Sequence, residues 1–231
     1  MARFSLSFFL ISLSALAALH GTHAVNYIVK NPAVNTPGGT RFKNELGGII
    51  PVDRMSTATN FIWNLFKQTL SPSERKNVQL VTLIVENIGG VAYTSNNEIH
   101  FSAQYIQSIQ PGMGNLVYEF NGVIFHEMTH VWQWNGNGGA PSGLIEGIAD
   151  FVRLKAGYAP GHWVKNGEGN RWDQGYDVTA RFLDYCESVK TGFVADLNRK
   201  MRFGYSVNFF KDITGRTRDQ LWRDYKAKFG K

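Results

Sequence analysis

The sequence predicts an α+β fold, with a small mixed sheet and helices in the N-terminal half and a mostly helical C-terminal half. Short β-branched runs separated by glycine turns lie before residue 102, and segments with helical spacing of apolar residues dominate after residue 115. A hydrophobic content of 43% over 231 residues is enough for one sizeable core. We therefore expect one domain, with the sheet first and the helices second.

Residues 1–24 have the features of a signal peptide. Arg3 precedes an uncharged apolar run from Phe4 to Leu19, and Thr22-His23-Ala24 ends it with small residues where cleavage occurs. The run is short for a membrane span. We predict cleavage after Ala24 and secretion of residues 25–231 as one domain; an uncleaved anchor is the alternative.

The chain is basic, with a formal net charge of +6. The charges are scattered and the aromatic residues have the spacing of core residues, so nucleic acid is not expected as a partner. The surplus can favour retention on an acidic cell-wall polysaccharide, although solubility alone also explains it. No second long apolar run follows, so we expect no membrane contact after cleavage. We also expect a monomer.

Cys186 is the only cysteine, which excludes an intramolecular disulfide. It lies in the helical pattern from Thr179 to Lys190, where a buried and unreactive thiol is expected. Stability must then come from the hydrophobic core.

The elements of the N-terminal half follow from local patterns. A β-branched run begins after the signal peptide, Pro32–Gly39 is expected to break regular structure, and Phe61, Ile62, Leu65 and Phe66 have helical spacing. Gly89-Gly90 marks a turn between later strands. We predict strands at Asn26–Lys30, Val78–Val85, Val91–Tyr93 and Glu98–Phe101, and a helix at Asp53–Gln68 capped by Asp53.

The C-terminal half contains four segments with helical periodicity. Thr217 and Gln220 form a capping-box pattern at the start of the last one. A glycine-rich connection at Asn135–Gly139 separates the first two. The predicted helices are Asn115–Trp134, Ser142–Ala156, Tyr176–Lys190 and Thr217–Phe229.

The first of these helices contains the sequence HEMTH at residues 126–130. His126 and His130 are one helical turn apart, so both imidazoles can bind one ion, and Glu127 is offset towards a metal-activated water. This geometry suits zinc hydrolysis, with Zn²⁺ as cofactor and Glu127 as the general base. The motif alone also occurs by chance, so a third ligand is required.

The third ligand of such a site follows one of two known patterns. The extended histidine motif of metzincins is not met, because Gln133 and Gly136 occupy its glycine and ligand positions. The next helix offers Glu146 as a direct ligand, with Asp150 one turn later to orient His126, which is the gluzincin arrangement. Asp150 as the direct ligand remains the alternative.

Other candidate residues are less specific. A tyrosine, histidine or arginine is needed to stabilise an oxyanion, and Tyr176 is our candidate, with Tyr158 and His162 as alternatives. His100, Trp132 and Trp134 are assigned structural roles. The stretch Tyr93–Phe101 is either an edge strand that pairs with an extended peptide or an interior strand.

These motifs resemble the plant basic secretory protein family, described among pathogenesis-related proteins and related to bacterial peptidases. The resemblance covers essentially the whole mature chain and implies a zincin-like fold and a plant extracellular (apoplastic) protein in defence against microbes. It rests on Val25–Tyr27, Phe61–Trp63, His126–Trp134, Gly143–Arg153, Trp172–Tyr176 and Ala180–Tyr185.

Several functions fit these observations. The leading expectation is a secreted zinc endopeptidase that acts on peptide or protein substrates. A defence-associated binding protein that retains the fold without turnover is the alternative, but the intact Glu127 favours an enzyme. An aminopeptidase would need an acidic anchor for the substrate amine, for which the sequence shows no signature.

Overall fold

The computed structural model describes residues 25–112 and 114–230 and shows a mixed α+β fold. The predicted signal peptide, residues 1–24, lies outside this part. The four strands of the described residues are β1 (Asn26–Lys30), β2 (Leu80–Glu86), β3 (Ala92–Ser95) and β4 (Glu98–Ser102). They form one sheet in the order β1-β2-β4-β3. β2 runs parallel to both of its neighbours, β1 and β4, whereas β3 is antiparallel to β4.

A tight hairpin turn connects β3 and β4. Asn96 and Asn97 form it with φ values of 50° and 62°, and asparagine tolerates this left-handed conformation better than most residues. The turn allows Ser95 to pair with Glu98. The stretch Tyr93–Phe101 therefore contains both alternatives considered from the sequence, since β3 is an edge strand and β4 an interior strand.

The N-terminal half of the described residues also contains three α-helices. They are α1 (Pro37–Leu46), α2 (Ile50–Leu65) and α3 (Ala103–Ser108). The predicted break over Pro32–Gly39 is wrong at its end, because Pro37 is tolerated in the first helical turn and Thr36 caps α1 by accepting a bond from the Gly39 amide. Asp53 is not a cap either, because α2 begins three residues earlier and Asp53 lies in its first turn.

The C-terminal half of the described residues is helical, as the sequence predicts. The capping box of Thr217 and Gln220 is confirmed at the last helix. Two short helices were not predicted, α7 and α8, because each is too short to show a strong period. The helices are α4 (Asn115–Trp132), α5 (Ser142–Lys155), α6 (Tyr176–Val189), α7 (Phe193–Lys200), α8 (Phe209–Thr214) and α9 (Arg218–Lys228).

The core lies between the sheet, α2 and α4 and continues into the contact of α5 with α6. Trp132 is buried and packs edge-on against Trp63 with ring centroids 4.9 Å apart, which confirms its predicted core role. Cys186 is also fully buried, as predicted. None of the helices in the described residues has the length and apolar character of a membrane span.

Candidate metal centre

α4 and α5 bring three metal-ligating side chains together. His126 and His130 project from one face of α4, and Glu146 reaches them from α5, which packs against α4. Nε2 of His126 lies 3.1 Å from Nε2 of His130 and 3.2 Å from Oε2 of Glu146, and the third side of this triangle measures 3.5 Å. Ligand atoms on a tetrahedral ion with bonds of about 2.0–2.1 Å lie roughly 3.3–3.4 Å apart, so the three residues fit a zinc ion.

Asp150 lies on the opposite side of the His126 ring. Its Oδ1 is 2.7 Å from Nδ1 of His126, and its side chain is almost fully buried. Accepting this bond fixes the proton on Nδ1 and leaves Nε2 free for a metal. Asp150 is therefore outside the triangle that Glu146 completes.

The positive charge of protonated His126 and the negative charge of Glu146 stabilise each other. Burial opposes the charged form of His126, but hydrogen bonds to Asp150 and Glu146 outweigh it and raise the pKa of His126 to about 10. Burial also opposes ionisation of Glu146, yet hydrogen bonds to His126 and His130 lower its pKa. A cation that binds between these groups must displace the proton, so metal uptake is expected to weaken as the pH falls.

Glu127 lies beside the triangle and is held by the edge strand. The hydroxyl of Thr94 in β3 donates to Oε2 of Glu127 at 2.7 Å. Glu127 is only 4% exposed but lines the same cleft as the two histidines. One carboxylate oxygen is thus anchored, and the other is available for proton transfer.

The centre opens into a cleft of about 860 Å³. β3 forms one wall with Ala92 and Thr94. Because the Ser102 amide donates to the Val91 carbonyl, the alternation of an antiparallel ladder turns the backbone groups of Ala92 and Thr94 towards the free edge. An extended peptide can therefore pair with this edge beside the three metal-ligating residues.

The comparisons with known proteins identify the family of the chain. A family model described as a peptidase of plants and bacteria matches residues 22–225. The chain belongs to this peptidase family. A relative named "Basic secretory protease" from Boswellia serrata is 48% identical over 59 residues, which cover 26% of this chain and 67% of that relative. The resemblance to basic secretory proteins is confirmed, and no solved structure matches the chain.

Tyr176 stands next to the centre of this peptidase. Its ring stacks on the His126 ring at 6.2 Å between centroids, and its side chain is 56% exposed to the cleft. Its φ of 46° is unusual for a bulky residue, and such backbone strain is found mostly at functional sites. The charge of Glu146 and partial burial raise the pKa of Tyr176, which keeps its hydroxyl protonated as a donor.

Two glycines of α5 allow the segment that carries Tyr176 to pack closely against this helix. A Cβ at Gly143 would overlap the Asp173 carbonyl, and one at Gly147 would overlap the Thr179 side chain. Thr179 in turn binds the segment before Tyr176, accepting from the Gly175 amide at 2.8 Å. These glycines are one helical turn apart and flank Glu146. Their spacing is the sequence signal that another segment packs closely against this face of α5.

The structure separates the other candidate electrophiles. His162 is exposed and lines the cleft. Tyr158 packs its ring against Phe125, and its hydroxyl is 3.4 Å from the Asn121 amide. Tyr158 is not among the residues that line the cleft, so it has a structural role.

Three further residues line the cleft, and no role was predicted for them from the sequence: Thr94, Gln133 and Lys76. Gln133 is noted in the sequence only as a departure from the metzincin pattern. In the structure its amide lies 2.7 Å from Nδ1 of His130 and 3.3 Å from the Ile145 carbonyl. It occupies the same position relative to His130 that Asp150 occupies relative to His126.

Proposed function

We propose that this protein is a secreted zinc-dependent endopeptidase with a zincin-like fold. The observation that carries the proposal is the triangle of His126, His130 and Glu146 with Glu127 beside it, in a cleft bounded by a free strand edge. A carboxylate next to two histidines and a third ligand is an arrangement that suits metal-assisted hydrolysis of an unactivated amide.

His126, His130 and Glu146 would hold the zinc ion. When bound there, zinc supplies a Lewis acid that polarises the peptide carbonyl and lowers the pKa of water towards neutrality. The geometry supports Glu146 over Asp150 as the third ligand, because Asp150 is bonded to the outer nitrogen of His126. Asp150 and Gln133 then orient the two rings, as outer partners of metal-binding histidines usually do.

The remaining steps belong to the protein's own residues. The backbone groups of Ala92 and Thr94 align the substrate as an added strand. Glu127, anchored by Thr94, accepts a proton from the attacking water and returns it to the nitrogen of the leaving amine. The Tyr176 hydroxyl donates a hydrogen bond to the oxygen that becomes negatively charged.

The cleft supports an endopeptidase over an aminopeptidase. An aminopeptidase needs a free carboxylate that binds the substrate amine. Among the described residues that line the cleft, the carboxylates are those of Glu127, Glu146, Asp150 and Asp177. The first three belong to the metal centre, and the oxygens of Asp177 already accept bonds from the Val164 and Val178 amides.

Secretion and a role in plant defence complete the proposal. The predicted signal peptide and the name of the relative, basic secretory protease, support secretion to the apoplast. The defence role follows from the family resemblance. We propose that the protein acts as a monomer on peptide or protein substrates, and that its positive charge favours retention on acidic cell-wall polysaccharide.

A defence-associated binding protein is the second candidate, and one experiment separates the two. The secreted protein is analysed for metal and incubated with a mixed peptide pool, with and without a chelator, beside the Glu127→Gln variant. One equivalent of zinc, chelator-sensitive cleavage and loss of cleavage in Glu127→Gln with zinc retained are expected. Zinc without cleavage would favour the binding protein, and absence of zinc would contradict the metal centre.

A further inference from the structure

Lys76 is a cleft residue that forms no ion pair with a carboxylate among the described residues. Its ammonium lies 3.5 Å from the His130 carbonyl and 5.7 Å from the centre of the Trp134 ring. The Lys76 side chain is partly buried, so its ammonium has lost part of its surrounding water. A desolvated ammonium with only a weak carbonyl contact has unused capacity to bind an anion.

The surroundings of Lys76 are positively charged. The Trp134 ring that lies near Lys76 also contacts Arg202, whose guanidinium is 5.3 Å from the ring centre. Two cations therefore lie next to this indole. Arg202 donates to the Ser73 carbonyl. Within the described residues Arg202 forms no ion pair with a carboxylate, so the positive charges of Lys76 and Arg202 attract negative charge to this end of the cleft.

The strand register shows which part of a substrate reaches Lys76. Lys76 precedes β2, whose start lies beside the β3–β4 turn, since the Thr82 amide donates to the Asn97 carbonyl. Lys76 therefore lies at the end of the cleft where β3 finishes, at Ser95. A peptide that pairs antiparallel with β3 runs from the Ser95 end to the Ala92 end. Its amino-terminal part passes Lys76.

We propose that Lys76 forms a subsite that selects an acidic side chain on the amino-terminal side of the scissile bond. The proposal rests on the proposed function, because it assumes that a peptide occupies the cleft along β3. It names the substrate class as chains with Asp or Glu a few residues before the cleaved bond. A C-terminal carboxylate does not fit, since the carboxyl end of the peptide leaves the cleft at the opposite side.

Binding of matched peptides tests the subsite without requiring turnover. The zinc-loaded Glu127→Gln protein is titrated with fluorescent peptides in which one Glu or one Gln is moved along an otherwise neutral sequence. At the matching position the Glu peptide should bind about tenfold more tightly than the Gln peptide, as expected for a hydrogen bond to a charged group. In parallel, cleavage sites of the unsubstituted protein are mapped in a peptide pool.

Three lysine variants assign the preference. Lys76→Met should reduce the Glu-to-Gln ratio to below about twofold, whereas Lys76→Arg should keep most of it, because charge is the recognised feature. Lys43→Met removes an exposed positive charge from α1 and should leave the ratio unchanged. A melting curve for each variant shows that it is folded.

The outcomes distinguish the two proposals. A Glu preference that disappears in Lys76→Met supports the subsite even if no peptide is cleaved, in which case the peptidase proposal fails alone. Cleavage without enrichment of Asp or Glu before the cut site overturns the subsite and leaves the peptidase intact. Equal affinity for the two peptides, or a preference that survives Lys76→Met, also overturns the subsite.

Discussion

The hydroxyl of Thr94 donates a hydrogen bond of 2.7 Å to Oε2 of Glu127. This bond connects the free strand edge, which we propose aligns the peptide, with the carboxylate that we propose as the general base. In that mechanism substrate alignment and proton transfer share one residue of β3, and a change in the position of the strand also changes the position of Glu127.

Replacing Thr94 with valine keeps the shape of the side chain and removes this bond. We expect kcat to fall about tenfold, since hydrogen bonds to charged groups contribute about 1.5–3 kcal/mol. Metal content should stay unchanged, and Thr94→Ser should recover most of the activity because the hydroxyl is restored. Peptide cleavage kinetics measure this. A Thr94→Val protein as active as the unsubstituted one would show that Glu127 needs no anchor.

The third metal ligand is identified by comparing Glu146→Ala with Asp150→Asn. Asp150 binds the outer nitrogen of His126, so its loss should weaken zinc binding about 10- to 100-fold, as is usual for such partners. Loss of Glu146 removes a corner of the triangle and should weaken binding more. Competition with a chelating dye gives both affinities. The reverse order would make Asp150 the direct ligand.

Gln133 is expected to act on His130 as Asp150 acts on His126. With Nε2 of His130 directed to the metal, Nδ1 carries the proton, and the amide oxygen of Gln133 accepts it after the amide exchanges its two ends. Gln133→Met should weaken zinc binding about tenfold, whereas Gln133→Glu should retain it, because a carboxylate is a stronger acceptor. Unchanged affinity of Gln133→Met would show that the contact is incidental.

Gly147 tests the close approach of α5 and α6. A methyl group there overlaps the Thr179 side chain, so Gly147→Ala should lower the free energy of unfolding by about 1–3 kcal/mol. Gly161→Ala is the matched control, because a Cβ at Gly161 meets open space. Thermal melting compares them. Equal melting temperatures would show that α6 adjusts without cost.

The cluster of His126, Glu127 and His130 could be predicted from the sequence because the motif is local. His126, Glu127 and His130 lie within two turns of one helix, so the helical period alone places them together. Glu146 and Asp150 could be added because their carboxylates lie one turn apart in an otherwise apolar helix.

The missed residues depend on tertiary structure. Thr94 meets Glu127 only because β3 lies at the sheet edge beside α4, and no local pattern encodes that order. Lys76 lies in an irregular segment before β2, where periodicity gives no information. The helix α1 was not predicted, and the break was expected to extend to Gly39 because Pro37, Gly38 and Gly39 are poor helix formers. Packing and a threonine cap outweigh that preference.

The Cys186 thiol should not react with disulfide reagents until the protein unfolds. Burial raises its pKa well above the usual value, so the thiolate that reacts with disulfide reagents does not form at neutral pH. Because the unfolded thiol ionises near pH 8.5, the stability from Cys186 is complete below that pH and is lost as the pH rises towards the folded pKa. Labelling should track unfolding in urea, and a Cys186→Ala variant should show a smaller loss of stability between pH 7 and pH 10. Rapid labelling of the native protein at pH 7 would show instead that solvent reaches the contact between α6 and its neighbours.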